Sequence, residues 1–400
     1  MTETRAWLLA VLSLAICACG TGKNPPQAST AAQTVPGASA PGGRLQSIAD
    51  ICANPAAATD ARSAQSDPLY FGWLLFLAID CPAQSGAAQP VLWETWKPNS
   101  GVYLAGGQPP PPWGTLPPRV LLDQPEIDGR TLLDKNGQPV LNEIRMNKAV
   151  FDYIVQRQFY SKAAQIAFFN DPSSLPVTFP PESFEIKASW LILTPGDPAN
   201  ARFYTIQSSY VDQSGKSHPV LAGLTGLHIA SKVIPNWFWT TFEQVDNQLT
   251  TRAPATVLIP PDVQKVNDDV HAALPPTSVW RYYNMRGVMT AFTNPGGSAP
   301  ILSNTQLETA FQRSSSCITC HRLSTRGSAS EGRLEFFQNT STGIQGYVGS
   351  PGDPSNKYFD PFGTPVCYDP TQIVFNNCKT PNPAIVYKTL DYVWSLREAQ

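Results

Sequence analysis

The pentapeptide Cys317-Ile318-Thr319-Cys320-His321 constrains this 400-residue chain more than any other feature. Two thiols three residues apart share one face of a helical turn, and an imidazole follows at once. Such a chain must form a turn of helix there and keep a flat partner against its thiol face. The spacing is that of covalent c-type haem attachment. Cys317 and Cys320 are then the cofactor-binding residues, and His321 is the axial iron ligand. Random placement of 8 Cys and 4 His among 400 residues yields roughly 0.002 copies of the pattern. A zinc site would need two more ligands from a chain with only four histidines. A redox-active Cys-x-x-Cys pair belongs in a βαβ context, which the flanking residues lack. One motif implies one haem.

No Met and no His follows His321. A second axial ligand must come from upstream, or the second face of the iron is open. His228 is the first candidate. It lies in an expected strand from Leu224 to Lys232 and faces away from Leu227 and Ile229. It also stands near Gly226, whose missing side chain lets another group approach the backbone. Met285 and Met289 come next, although core filling suits them better. His218 sits in a turn before Pro219, and His271 in a polar helical segment. Trp190 and Trp237-Phe238-Trp239 are candidate pocket walls, with plain sheet core as the alternative. Glu94, Glu243 and Asp246 are acids among aromatics, for which capping or solvation is the simpler role.

The N-terminus reads as a lipoprotein signal over residues 1–19. Its apolar run, Ala6 to Ile16, is shorter than the ~20 residues that span a bilayer and suits a signal core. Ile16-Cys17-Ala18-Cys19-Gly20 resembles a lipidation site, with Cys19 as the modified residue. A plain secretory signal is the alternative. Residues 20–44 are rich in Gly, Pro, Ala, Ser and Thr and read as a flexible tether. These features place the chain in the bacterial cell envelope, at its periplasmic face. Gly20 after Cys19 points to the outer membrane. Membrane contact is expected through the lipid anchor only. A net charge of -2 gives no reason to expect nucleic acid. Export also means an oxidising compartment. Cys52, Cys81, Cys367 and Cys378 can pair in three ways. The pairs closest in sequence, Cys52–Cys81 and Cys367–Cys378, are expected, with free buried thiols as the alternative.

Hydrophobic residues make up 42% of the chain, enough for a large core, and 39 prolines predict many loops between short elements. Phe71 to Ile79 is a helix or a buried strand. Met146 to Tyr160 has helical spacing. Phe184 to Trp190 alternates as a half-buried strand. Arg202 to Val211, Val220 to Ile234 and Trp237 to Val245 continue what reads as an antiparallel sheet. Thr305 to Ser314 is expected as a helix, with Thr305 and Glu308 at capping-box spacing. A closing helix is expected from Asn382, with Ile385, Leu390, Val393, Trp394 and Leu396 on its apolar face. The fold class is α+β: a β-rich domain over 45–300 packed on a helical and loop-rich haem segment over 301–400.

Several stretches together are similar to a group of large bacterial monohaem cytochrome c family proteins. They are Trp93-Glu94-Thr95-Trp96-Lys97, Glu143-Ile144-Arg145-Met146-Asn147 and Gly226-Leu227-His228-Ile229. The others are Trp237-Phe238-Trp239-Thr240-Thr241-Phe242-Glu243-Gln244-Val245-Asp246-Asn247 and Leu302-Ser303-Asn304-Thr305, leading to Ser315-Ser316-Cys317. The resemblance covers residues 70 to 400 and implies one covalent haem c and the two-part architecture, but no particular reaction. Electron transfer with a redox partner protein or small redox substrate is the expected function. A peroxidase- or oxygenase-like haem enzyme with an open distal face is the alternative, and a sensor or structural haem lipoprotein the third reading.

Overall fold

The computed structural model describes residues 47–54, 60–84, 90–123, 132–134, 136–171, 173–212, 214–249, 258–306, 308, 312–327, 338–340, 343–345 and 388–400. The expected signal, Cys19, the tether and the pair Cys367–Cys378 lie outside them. The described residues cluster as one compact unit. The class is α+β. The helices are α1 (Ile48–Ala53), α2 (Ala61–Ser66), α3 (Pro68–Ile79), α4 (Lys148–Gln156), α5 (Lys162–Asn170), α6 (Pro261–Ala273) and α7 (Cys317–Arg322). The main-sheet strands are β1 (Lys97–Pro98), β2 (Val120–Leu122), β3 (Leu141–Met146), β4 (Phe184–Leu193), β5 (Thr205–Val211), β6 (Ser217–Ser231), β7 (Phe238–Gln244) and β8 (Tyr283–Met289). Later strands are β9 (Thr325–Arg326), β10 (Gln338–Thr340), β11 (Gly343–Gln345) and β12 (Lys388–Thr389).

Pairing in the main sheet returns on itself: β3 to β4, β4 to β6, β6 to β5, β5 to β2, and β2 back to β3. The far half of β6 carries β7 and then β8. The sheet is antiparallel as expected except at β2 and β5, which run parallel. Alternation along β4 sends Phe184, Ile186, Ala188 and Trp190 into one apolar core with Leu224, Leu227, Ile229, Phe238 and Phe242. Helix α3 roofs this core. Its run Pro68–Ile79 is apolar nearly all round, so it can be stable only as a buried helix. Gly72 lets it approach β8: a Cβ there would lie 2.9 Å from Met285 Sδ.

The opposite face of the sheet builds a second core from Met146, Trp237, Trp239, Ala230 and Met289, with Leu302, Ile318, Leu390, Val393 and Leu396 from the C-terminal part. It also buries Val150, Phe151 and Ile154 of α4, one helical stripe. Asn147 starts that helix: its Oδ1 accepts the N–H of Val150 at 3.2 Å.

Two expected helices do not form as expected. In 305–314 the described residues make a turn at Thr305 and Gln306 and a 3₁₀ turn, Gln312–Ser314. Thr305 and Glu308 do not cap each other. Thr305 N–H and hydroxyl both donate to Glu243, and Glu308 Oε2 accepts the Asn304 N–H at 2.7 Å. Residues 382–387 lie outside the described ones, but from Lys388 on the chain is strand β12 and a 3₁₀ turn, Trp394–Glu398. Of the expected apolar face, Leu390, Val393 and Leu396 are buried and Trp394 is half-buried, while Ile385 lies outside the described residues. Asp391 and Tyr392, at φ +49° and +70°, interrupt any helix.

Cys52 and Cys81 are joined by a disulfide, tying α1 to the residue just past Asp80 at the end of α3 across a separation of 29 residues. Closing a loop of this length contributes about 3 kcal/mol. Replacing both cysteines by serine should lower the urea unfolding free energy by that order, and reduction of the native chain should match it. Equal midpoints would show that the bridge adds nothing.

Candidate haem-attachment site

Helix α7 is short, and its rotation sorts its side chains. At 3.6 residues per turn each residue advances about 100°. Cys317, Cys320 and His321 therefore fall within one arc of about 100°, and Ile318 and Thr319 point the other way. The burial agrees: Ile318 and Thr319 are buried, and the two cysteines and His321 are half-buried. The N-terminal end is seated on β8. Met289 Sδ accepts from Ile318 N–H at 3.4 Å and from Ser316 Oγ–H at 3.5 Å. That sulfur is committed to α7, so the expectation of Met289 as an iron ligand is not supported.

The two thiols are not bonded to each other. Burial and then the charge of Glu308 push the Cys317 and Cys320 thiols well up. Redox-active Cys-x-x-Cys pairs have the reverse property, a depressed thiol pKa.

His321 Nδ1 lies 2.8 Å from the carbonyl oxygen of Tyr392. A carbonyl can only accept, so Nδ1 carries the proton and Nε2 keeps its lone pair. The imidazole also packs on Trp239, ring centroids 4.4 Å apart. Burial, opposed by the Tyr392 carbonyl and joined by the charge of Lys187, pushes its pKa down to about 4. At neutral pH the ring is uncharged, as a metal-binding imidazole must be. The segment bearing Tyr392 clamps α7 further. Trp394 Nε1 donates to the Cys320 carbonyl at 3.0 Å, Leu390 N–H to the Ser324 carbonyl at 2.9 Å, and Ser324 Oγ–H to the Val393 carbonyl at 2.9 Å.

His228 stands on β6 between Lys187 of β4 and Thr241 of β7 in register, on the face that carries Trp239. Its Nε2 is buried with no hydrogen-bond partner among the described residues, and Glu308 Oε1 is 3.8 Å away. Burial, then the charges of Lys187 and His321, push its pKa down to about 3. The other histidines are engaged. His218 Nε2 contacts Asp212 at 2.8 Å and stacks on Tyr210, and His271 Nε2 contacts the Tyr283 carbonyl at 2.8 Å on the α3 side of the sheet. Met285 lies in the α3 core. The close approach expected at Gly226 exists, and the group using it is the Asn304 amide, 3.1 Å from where a Cβ would stand. Asn304 Nδ2 donates to Thr241 Oγ1 at 2.7 Å, which pins the segment leading to α7 against β7.

The aromatic walls divide. Trp237 and Trp239 face α7, whereas Phe238 and Trp190 belong to the α3 core. Glu94 is no haem-side acid: it accepts the Val91 N–H at 3.0 Å and pairs with Arg119. Asp246 pairs with Arg202. Glu243 accepts from Thr305 and so positions the segment that leads to α7. Sequence reading did not single out Lys187 or Tyr392. Tyr392 acts through its backbone, 71 residues from His321, and no side-chain pattern marks that.

Among the described residues no group of three or more His, Cys, Asp or Glu side chains gathers to hold a metal ion by itself. No helix among them is long and apolar enough to cross a membrane. Comparison with protein-family models, curated proteins and solved structures gives no match.

Proposed function

We propose that this chain is an exported monohaem c-type cytochrome that transfers electrons. The carrying observation is the unpartnered Nε2 of His228 on the sheet face that also receives α7, whose His321 keeps its own Nε2 lone pair. The donor set fits a haem c. Cys317 and Cys320 would hold the porphyrin through thioether bonds, and His321 and His228 would bind its iron. The group, when bound, supplies a one-electron iron couple. The residues supply the rest. Tyr392 orients His321, Trp239 packs on the imidazole, and Lys187 places a positive charge near both histidines. On this reading, 301–400 is a cytochrome c-like segment packed on a β-rich part, 45–300. Lipidation at Cys19 would anchor the protein to the outer membrane at its periplasmic face, and a redox protein or small redox substrate would exchange electrons with it.

Carbon monoxide tests the ligation. The purified ferrous wild type should bind it poorly, and His228→Ala should bind it readily with shifted ligand-sensitive bands. Ready binding by the wild type would favour the open-faced haem enzyme, with His228 and Glu308 as proton-handling groups. Identical spectra for the two proteins would remove His228 from the iron.

A further inference from the structure

Among the described residues, three of the four non-glycine positions with positive φ gather around one carboxylate. They are Trp237 (φ +60°), Asp391 (φ +49°) and Tyr392 (φ +70°). Residues held in that region are strained, and they persist only where surrounding contacts compel them. Here the contacts are visible. Asp391 Oδ1 accepts from Lys232 Nζ at 2.6 Å and from Trp237 Nε1 at 3.4 Å, and Oδ2 accepts the Phe179 N–H at 2.7 Å. Lys232 Nζ also donates to the Pro235 carbonyl at 2.8 Å, inside the turn between β6 and β7. Tyr392 Oη donates to Asn236 Oδ1 at 3.1 Å. Asp391, Tyr392 and Lys232 are all buried. Burial pushes the Asp391 carboxyl up, against Lys232, the Phe179 amide and Trp237, which favour its charge. Tyr392 carries this brace to the motif, where its carbonyl oxygen lies 2.8 Å from His321 Nδ1.

We propose that Asp391 is a positioning residue for His321: its carboxylate holds the left-handed pair Asp391-Tyr392 against the β6–β7 turn, so that the Tyr392 carbonyl fixes the imidazole tautomer and raises its basicity. The tautomer is a property of the chain alone. The redox consequence rests on the haem reading. A more basic axial imidazole favours the oxidised iron, so weakening the brace raises the reduction potential.

The test uses the full chain as wild type, Asp391→Ala, Asp391→Gly and Asp391→Asn. Glycine removes the carboxylate and also the left-handed penalty, so it stays informative if the alanine variant misfolds. Asparagine tolerates the left-handed region and keeps an acceptor, so it should rescue. In haem-free protein, nitrogen NMR of His321 should show the Nδ1–H tautomer predominant in the wild type and in Asp391→Asn. The other tautomer should rise about fivefold in Asp391→Gly. In haem-loaded protein at fixed solution potential, the ratio of reduced to oxidised iron should rise about tenfold in Asp391→Gly, equivalent to about 59 mV for one electron. A folded Asp391→Gly with the wild-type tautomer overturns the proposal. A tautomer shift in a chain whose wild type takes up no haem supports the brace and sinks only the haem reading.

Discussion

A chain with Cys317 and Cys320 both replaced by serine will leave a cytochrome-maturing cell without the mass increment of a haem on the peptide spanning them, and without the coloured bands of the wild type. The reason is geometric. On a short helix these two sulfurs and His321 occupy one half-buried arc, with Ile318 and Thr319 anchoring the opposite side in the core. Serine keeps the shape but cannot form a thioether. The fold should survive, because serine is close to cysteine in shape and both side chains are half-buried; Cys317 Sγ lies 3.9 Å from the Leu302 carbonyl, a partner a hydroxyl can also use. Loss of the haem mass in a protein that still unfolds near the wild-type midpoint is the expected result. A colourless wild type would end the cytochrome proposal and return the pair to thiol or zinc chemistry.

Arg119→Ala should destabilise the protein by about 3–5 kcal/mol, the cost of removing one partner from a buried ion pair. Arg119 bridges Glu94 and Glu143, whose side chains are each 5% exposed. Around them, Arg145 Nε meets Glu143 Oε2 at 2.9 Å, Arg145 Nη1 donates to the Glu94 and Trp96 carbonyls, and Trp190 Nε1 donates to Glu143 at 3.1 Å. Tyr204 Oη donates to Glu94. Arg119 also lies 5.0 Å over the Trp190 ring. Burial works against the Glu143 charge, but Arg145 and Arg119 together hold its pKa below the ordinary range. Without Arg119, Glu94 is left with neutral partners only. Urea unfolding of Arg119→Ala, of Glu94→Gln and of the double variant measures this. The double variant should cost less than the sum of the singles. A loss below about 1 kcal/mol in Arg119→Ala would make the cluster an ordinary surface pair.

That network explains two stretches on which the family resemblance rested. Trp93 and Trp96 pack in the α3-side core and Glu143 and Arg145 belong to the ion network, whereas Met146 packs in the second core and Asn147 caps α4, so these stretches hold the scaffold together. The sequence did not distinguish them from pocket residues, since a buried acid among aromatics looks the same in either role. Strand spans were legible because alternation and burial follow one another: the expected 184–190, 202–211 and 220–234 correspond to Phe184–Leu193, Thr205–Val211 and Ser217–Ser231. Helices at 305 and 382 were misread for one reason. Their apolar spacing was real, but the backbone and capping groups there were claimed by partners distant in sequence, Glu243 for Thr305 and α7 for residues 390–394.

Local spacing marked the pentapeptide, the alternating strands and the apolar run that became α3, because each depends on residues near one another along the chain; it favoured Cys52–Cys81 among three pairings. Tertiary structure decided which imidazole nitrogen has no hydrogen-bond partner among the described residues, which carbonyl holds His321, and which aromatic packs on α7. Those depend on strands meeting in register and on a C-terminal segment returning across more than 70 residues. A contact made through backbone atoms at that separation leaves no mark in side-chain pattern, and burial that leaves one nitrogen unsatisfied exists only once all its neighbours are in place.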